Sequence, residues 1–123
     1  MAVRSPREII ELYWEEVWNR GNVALIREIC ASPMIRHEPG KVSLLTHDEQ
    51  IARVQGTLAI KPYFTHEVLV ADDRHVSSVW NMTSQSDKYP VMSGIETFRA
   101  ENGRFTACWN PPYGFQLWGK AEA

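Results

Sequence analysis

The run Gly94-Ile95-Glu96-Thr97-Phe98 places a carboxylate two positions from a glycine and from a phenylalanine. Side chains alternate along a strand, so if Phe98 faces the core, Glu96 and Gly94 share that face. A carboxyl on an apolar face is costly unless it is used or paired. Desolvation there raises its pKa toward neutrality, where it can take and return a proton; the other register leaves Glu96 in solvent. His66 shares a period-two face with Phe64, Val68 and Val70, as a pocket imidazole or as a core or edge histidine satisfied by a neighbour. His37, in His37-Glu38-Pro39-Gly40, is an acid or base only if a substrate proton lies within about 3 Å; bonding to backbone beside Pro39 is the alternative. Glu38, adjacent in a strand, points to the opposite face. His47 follows a helix cap and is expected at the surface. Asn110 cannot transfer a proton at neutral pH, but its amide can donate to a developing enolate oxygen; equally, it turns the chain into Pro111-Pro112.

Other chemistries find no support. The four histidines have no ligand spacing, and Cys30 and Cys108, 78 positions apart, form neither a metal knuckle nor a disulfide framework. They are expected to be buried, inert thiols. There is no glycine-rich phosphate loop and no nucleophile elbow. Trp14, Trp18, Trp80, Trp109 and Trp118, with Tyr13 and Tyr113, either shape a flat polycyclic pocket or pack core and interface. The residues expected to contact substrate are His66, Trp80, Tyr13, Trp14, Phe98 and Met82.

Thirteen basic against fifteen acidic residues leave a formal charge of −2, so no overall positive field gathers nucleic acid or anionic membrane. The longest charge-free stretch, Phe105 to Gly119, is fifteen residues and holds Pro111 and Pro112, short of the roughly 20 apolar residues of a membrane helix. The first eight residues carry charge where a signal peptide would be apolar. A cytoplasmic protein is expected, with a small hydrophobic ligand and neither nucleic acid nor membrane as partner.

The elements that must position these groups follow from period and punctuation. Ser5-Pro6-Arg7-Glu8 starts a long amphipathic helix carrying Ile9, Ile10, Tyr13, Trp14 and Val17, which ends at Asn19-Arg20-Gly21-Asn22. Leu25, Ile26, Ile29 and Cys30 make a short second helix, stopped by Ser32-Pro33. Met34 to Glu38 is extended. Thr46 and Glu49 cap a third helix through Ile51, Val54 and Leu58, which runs until Pro62. From Phe64 the period is two, with a turn at Asp72-Asp73. Val76, Ser78, Trp80 and Met82 alternate in the next strand, and Ser84 to Lys88 reads as a hairpin loop. Val91 to Ala100 and Arg104 to Asn110 flank Asn102-Gly103, a strong hairpin signal. Helices followed by an antiparallel meander indicate one α+β domain over 1–123, a curved sheet wrapped over helices. Val79, Ile95 and Thr97 make the outer face of that sheet more apolar than a solvated face, so a homodimer is expected.

Trp18-Asn19-Arg20-Gly21-Asn22, His37-Glu38-Pro39-Gly40, and Ile95 to Gly103 followed by Arg104 to Asn110 resemble, in order and over nearly the whole chain, the SnoaL-like polyketide cyclases. That group shares the nuclear transport factor two-like superfamily with ketosteroid isomerase, limonene epoxide hydrolase and scytalone dehydratase. The resemblance implies a cone: a strongly curved, mainly antiparallel mixed sheet closed by three N-terminal helices around a deep apolar pocket. It also implies that His37 lines the pocket mouth, and that sheets pair in the dimer. Asn110 stands roughly where the cyclases carry an acidic residue, which puts their aldol mechanism in doubt here and makes Glu96 the better candidate base. The functional expectation is a cofactor-independent isomerase or cyclase working on a hydrophobic, polyketide- or steroid-like carbonyl compound through an enol or enolate, with Glu96, His37 and Asn110 as its catalytic set. A non-catalytic binding or dimerisation module, or an epoxide hydrolase or dehydratase, is the alternative on the same fold.

Overall fold

The computed structural model describes residues 3–84, 91–110 and 113–119. Ser5 opens the first helix: its hydroxyl accepts from the Glu8 N–H, and the Glu8 carboxylate accepts from the Ser5 N–H. Helix α1 (Pro6–Leu12) passes directly into a π-helical segment, Tyr13–Asn19. The expected long helix is therefore wider in its second half. Its i→i+5 bonding brings residues five apart into line, and Tyr13 and Trp18 meet edge to face with ring centroids 6.3 Å apart. Gly21, at φ +76°, ends the segment in the left-handed conformation that glycine adopts without strain. A 3-10 turn (Val23–Leu25) leads into the short α2 (Ile26–Ile29), whose two isoleucines are buried.

Strands β1 (Cys30–Glu38) and β2 (Lys41–Leu45) precede α3 (His47–Leu58), and β3 (Pro62–Ala71), β4 (His75–Ser84), β5 (Met92–Glu101) and β6 (Arg104–Trp109) follow it. The sheet order is β2-β1-β6-β5-β4-β3, antiparallel throughout except for the parallel pair β1·β6. Three departures from expectation have local causes. First, β1 starts at Cys30 rather than Met34, running through Pro33. Its pairing with β6 shifts register between Cys30 and Ile35, and such an irregularity accommodates a residue that lacks a donor N–H. Second, β2 was not anticipated; Gly40, at φ +76°, turns the chain so that Lys41–Leu45 pairs back on β1. Third, β3 changes phase. A bulge between His66 and Val68 reverses which residues point inward, so Val68 and Val70 are exposed while Leu69 and Ala71 pack on the core.

The meander keeps its expected phase elsewhere: Val76, Ser78, Trp80 and Met82 of β4, and Glu96, Phe98 and Ala100 of β5, are buried. Asn102 and Gly103, both at positive φ, form the β5–β6 turn. The anticipated Ser84–Lys88 loop lies, apart from Ser84, outside the described residues. One apolar cluster joins α1, the π segment and α2 to the inner face of the sheet, with Phe98 stacked on Phe105 at 4.3 Å. Among the described residues, no helix is long and apolar enough to cross a membrane.

Candidate active site

The inner face of the sheet, the π segment and α3 enclose a cavity of about 210 Å³. Three tryptophans (Trp14, Trp18 and Trp80), Phe64 and Met82 supply its apolar wall, and Tyr13 borders it from the helix side. Trp14 lies nearly parallel to Phe64, centroids 4.6 Å apart, and the edge of Trp80 meets Tyr113 at 5.5 Å. Gly94 makes room for this pair: a Cβ built there would stand 2.7 Å from the Trp80 ring and 3.2 Å from the Tyr113 ring.

Glu96 lines this cavity and is 6% exposed. Among the described residues its carboxyl has no hydrogen bond and no ion pair within 4 Å. Burial pushes its pKa up to about 7, against a smaller downward pull from the Arg36 and Arg53 guanidinium groups. Near neutral pH the neutral acid and the carboxylate are therefore both within reach.

Arg36, 8% exposed, enters the same cavity from β1. Its Nη2 donates to the Tyr113 hydroxyl and to Glu38 Oε1, each at 3.3 Å, while its Nε is buried without a partner among the described residues. Tyr113 arrives from the segment after β6, which crosses β5 at a Ser93–Gly114 bridge. That segment is held by the Ser93 hydroxyl donating to the Gln116 carbonyl (2.6 Å), the Trp118 N–H donating to Asn81 Oδ1 (2.8 Å) and the Trp118 indole donating to the Gly94 carbonyl (3.3 Å). Burial and the nearby Glu96 charge raise the Tyr113 pKa, so the phenol keeps its proton. Asn110, 5% exposed, also lines the cavity, with its Oδ1 unpartnered among the described residues.

Of the three expected catalytic residues, the structure brings Glu96 and Asn110 to the cavity. His37 is on the other face of the sheet, stacked on Trp109 with centroids 4.7 Å apart and planes at 7°, in a shallow depression with Ile95 and Thr97. Since Met34 and Arg36 point inward, period two turns His37 outward, away from the expected place at the pocket mouth. Trp80, Tyr13, Trp14 and Met82 line the cavity as expected. Two other expected contact residues do not: Phe98 is fully buried in the core beneath it, and His66 packs on the edge of Trp14 with Nδ1 bonded to the Ser78 hydroxyl at 2.7 Å. Desolvation lowers the His66 pKa. His47, expected at the surface, is half-buried, its Nε2 2.6 Å from the Cys30 carbonyl. Among the described residues no group of three or more metal-ligating side chains converges.

A helix layer packed on a mixed sheet in this arrangement recurs in known structures. A SnoaL-like polyketide cyclase from Agrobacterium tumefaciens superposes with a TM-score of 0.72 at 12% identity, over 91% of this chain and 93% of that one. A structure from Kribbella flavida, proposed to be a ketosteroid isomerase, gives 0.73 at 12% identity over 96% and 83%. This is the nuclear transport factor two-like fold. A protein from Acidithiobacillus ferrooxidans, proposed to be a polyketide cyclase, shares the fold at 24% identity, with a TM-score of 0.71 over 89% of each chain. No family model matches the sequence, and no curated protein does. The resemblance read from the sequence thus holds at the level of the fold.

Arg36 and Tyr113 carry the part of this site that sequence reasoning missed. Period two from Met34 assigns Arg36 to the inner face. Nothing in the sequence brings Tyr113, beyond Pro111-Pro112, back across β5.

Proposed function

We propose that the chain is a cofactor-independent acid–base enzyme acting on a compact carbonyl compound, isomerising or cyclising it through an enol or enolate. The observation that carries this reading is Glu96: a buried carboxyl without a partner, facing a cavity, with a pKa near the working pH. As carboxylate it removes a proton next to the substrate carbonyl, and as the acid it returns that proton elsewhere. The Tyr113 hydroxyl already accepts from Arg36, which polarises its own O–H and leaves it to donate. With the Asn110 amide it supplies hydrogen bonds to the enolate oxygen. Polyketide- and steroid-like compounds mark the chemical class of the neighbours, but about 210 Å³ falls below the ~300–1,000 Å³ usual for drug-sized ligands. One- or two-ring compounds fit best.

The test is deuterium uptake from D₂O into the α-position of small cyclic monoketones, whose uncatalysed exchange is slow near neutral pH, followed by proton NMR. Wild type accelerates exchange, with a rate that rises as Glu96 ionises through about pH 7; Glu96→Gln reduces it by roughly 10²-fold or more. Exchange that is equal in a folded Glu96→Gln protein refutes the assignment. A binding module without chemistry is the competing reading. It is favoured by the absence, among the described cavity residues, of a second group beside Glu96 that titrates near neutrality, since burial holds Tyr13, Tyr113 and Cys108 above their ordinary ranges.

A further inference from the structure

The cavity holds hydrogen-bonding groups that the described residues do not satisfy. Arg36 Nε and the indole N–H groups of Trp14 and Trp80 are buried donors without partners among the described residues, and Asn110 Oδ1 is an acceptor in the same condition. All four residues line the cavity, as does the Glu96 carboxyl. Buried polar groups in native proteins are satisfied by protein, water or ligand, so an occupant with acceptor oxygens complements the donors of this lining.

Charge points the same way. Two guanidinium groups, the buried Arg36 and the exposed Arg53, border the cavity against one buried carboxyl, Glu96. The remaining counter-charge at Arg36 is Glu38, which accepts directly from Nη2 at 3.3 Å but has a side chain 35% exposed, so solvent screens the pair. The walls are aromatic and flat. From this we propose that the site takes a planar, acceptor-rich monoanion of one or two rings, an aromatic or enolised keto acid, whose carboxylate is bound by Arg36. This rests on the cavity being a ligand site and deepens the reading above by naming the anionic group and its anchor. A planar guanidinium with free donors matches a carboxylate better than any other group present.

Glu96 gives the proposal a signature that a merely structural Arg36 would not. The groups facing it are Arg36 and Arg53, fixed cations, with Tyr13, Cys30, Cys108 and Tyr113, all held protonated by burial at neutral pH. An anion beside Glu96 therefore binds well while Glu96 is neutral and less well once it ionises.

The experiment measures quenching of tryptophan fluorescence in the full chain by 2-naphthoate and by 2-naphthamide, which share a shape and differ in charge. Naphthoate is expected to bind at least tenfold more tightly than naphthamide at about pH 6.5, and Arg36→Gln to abolish that preference. Because Arg36 is buried, Glu38→Gln provides the second arm: removing the rim counter-charge tightens naphthoate several-fold and leaves naphthamide unchanged. Naphthoate affinity falls as pH rises through about 7 in wild type and stays level in Glu96→Gln. Equal affinity for the two probes overturns the proposal, as does a preference that survives in folded Arg36→Gln or is unmoved in Glu38→Gln. Anion preference without Glu96-dependent deuterium exchange refutes only the enzyme reading; exchange without anion preference refutes only this one.

Discussion

Replacing Glu96 by glutamine should change the pH dependence of stability by an amount the structure fixes. Glu96 has a pKa of about 7 in the fold against 4.5 as a free side chain. The folded state therefore holds the proton more tightly than the unfolded state does. Stability associated with the neutral carboxyl is fully present below about pH 4.5, declines as pH rises, and is lost above about pH 7. The gap between 4.5 and about 7 corresponds to roughly 3 kcal/mol, most of which falls between about pH 5 and about pH 8. Glutamine keeps the shape and has no proton to lose. Urea unfolding of both proteins, followed by tryptophan fluorescence, gives the double difference, in which every other titrating group cancels. Wild type should lose about 2–3 kcal/mol relative to Glu96→Gln between those two pH values. Parallel stability profiles would show that Glu96 ionises in the fold as it does in water, and the desolvation argument would fail with its consequences for catalysis.

Gly94→Ala forces a methyl to within 2.7 Å of the Trp80 ring and should cost about 1–3 kcal/mol, read as a lower thermal midpoint, together with loss of naphthoate binding. Cys30 and Cys108 are buried with pKa values pushed up to about 12. A disulfide-exchange reagent at about pH 8 should leave both unmodified in the folded chain and react with two thiols after denaturation. We also propose a homodimer formed through the outer sheet face, where Ile95, Trp109, Leu117 and Trp118 remain 38–43% exposed. Light scattering should give twice the chain mass, and Trp109→Glu should return the monomer.

The legible parts of the molecule were those governed by neighbours a few residues apart. Ser5 and Thr46 announce helices because a capping hydroxyl and a glutamate three residues on satisfy each other, and Asn102-Gly103 announces a hairpin because few other pairs tolerate its backbone. Glu96 was legible for the same reason: Phe98 sets the phase of β5, and no bulge intervenes between them. The illegible parts depend on an inserted residue or on distant chain. One extra residue near Glu67 undoes the alternation that tied His66 to Val68 and Val70. The face that Arg36 takes is set by where β1 joins β6, and no local pattern encodes that parallel pairing.

The segment Tyr113–Gly119 sets the polar end of the cavity, yet it is secured mainly by a single bridge and a few hydrogen bonds to Asn81, Ser93 and Gly94. In the isolated chain its Phe115 side chain is 63% exposed, and Leu117 and Trp118 are 42% and 43% exposed. Local opening free energies track buried contacts, so this segment should detach at far lower cost than global unfolding. A binding-competent site is then a population rather than a fixture. If the docked fraction is f, a ligand that needs Tyr113 binds with its intrinsic dissociation constant divided by f. Occupancy should in turn hold the segment down, slowing amide exchange at Gly114, next to Tyr113, and at Trp118, five residues further along the chain.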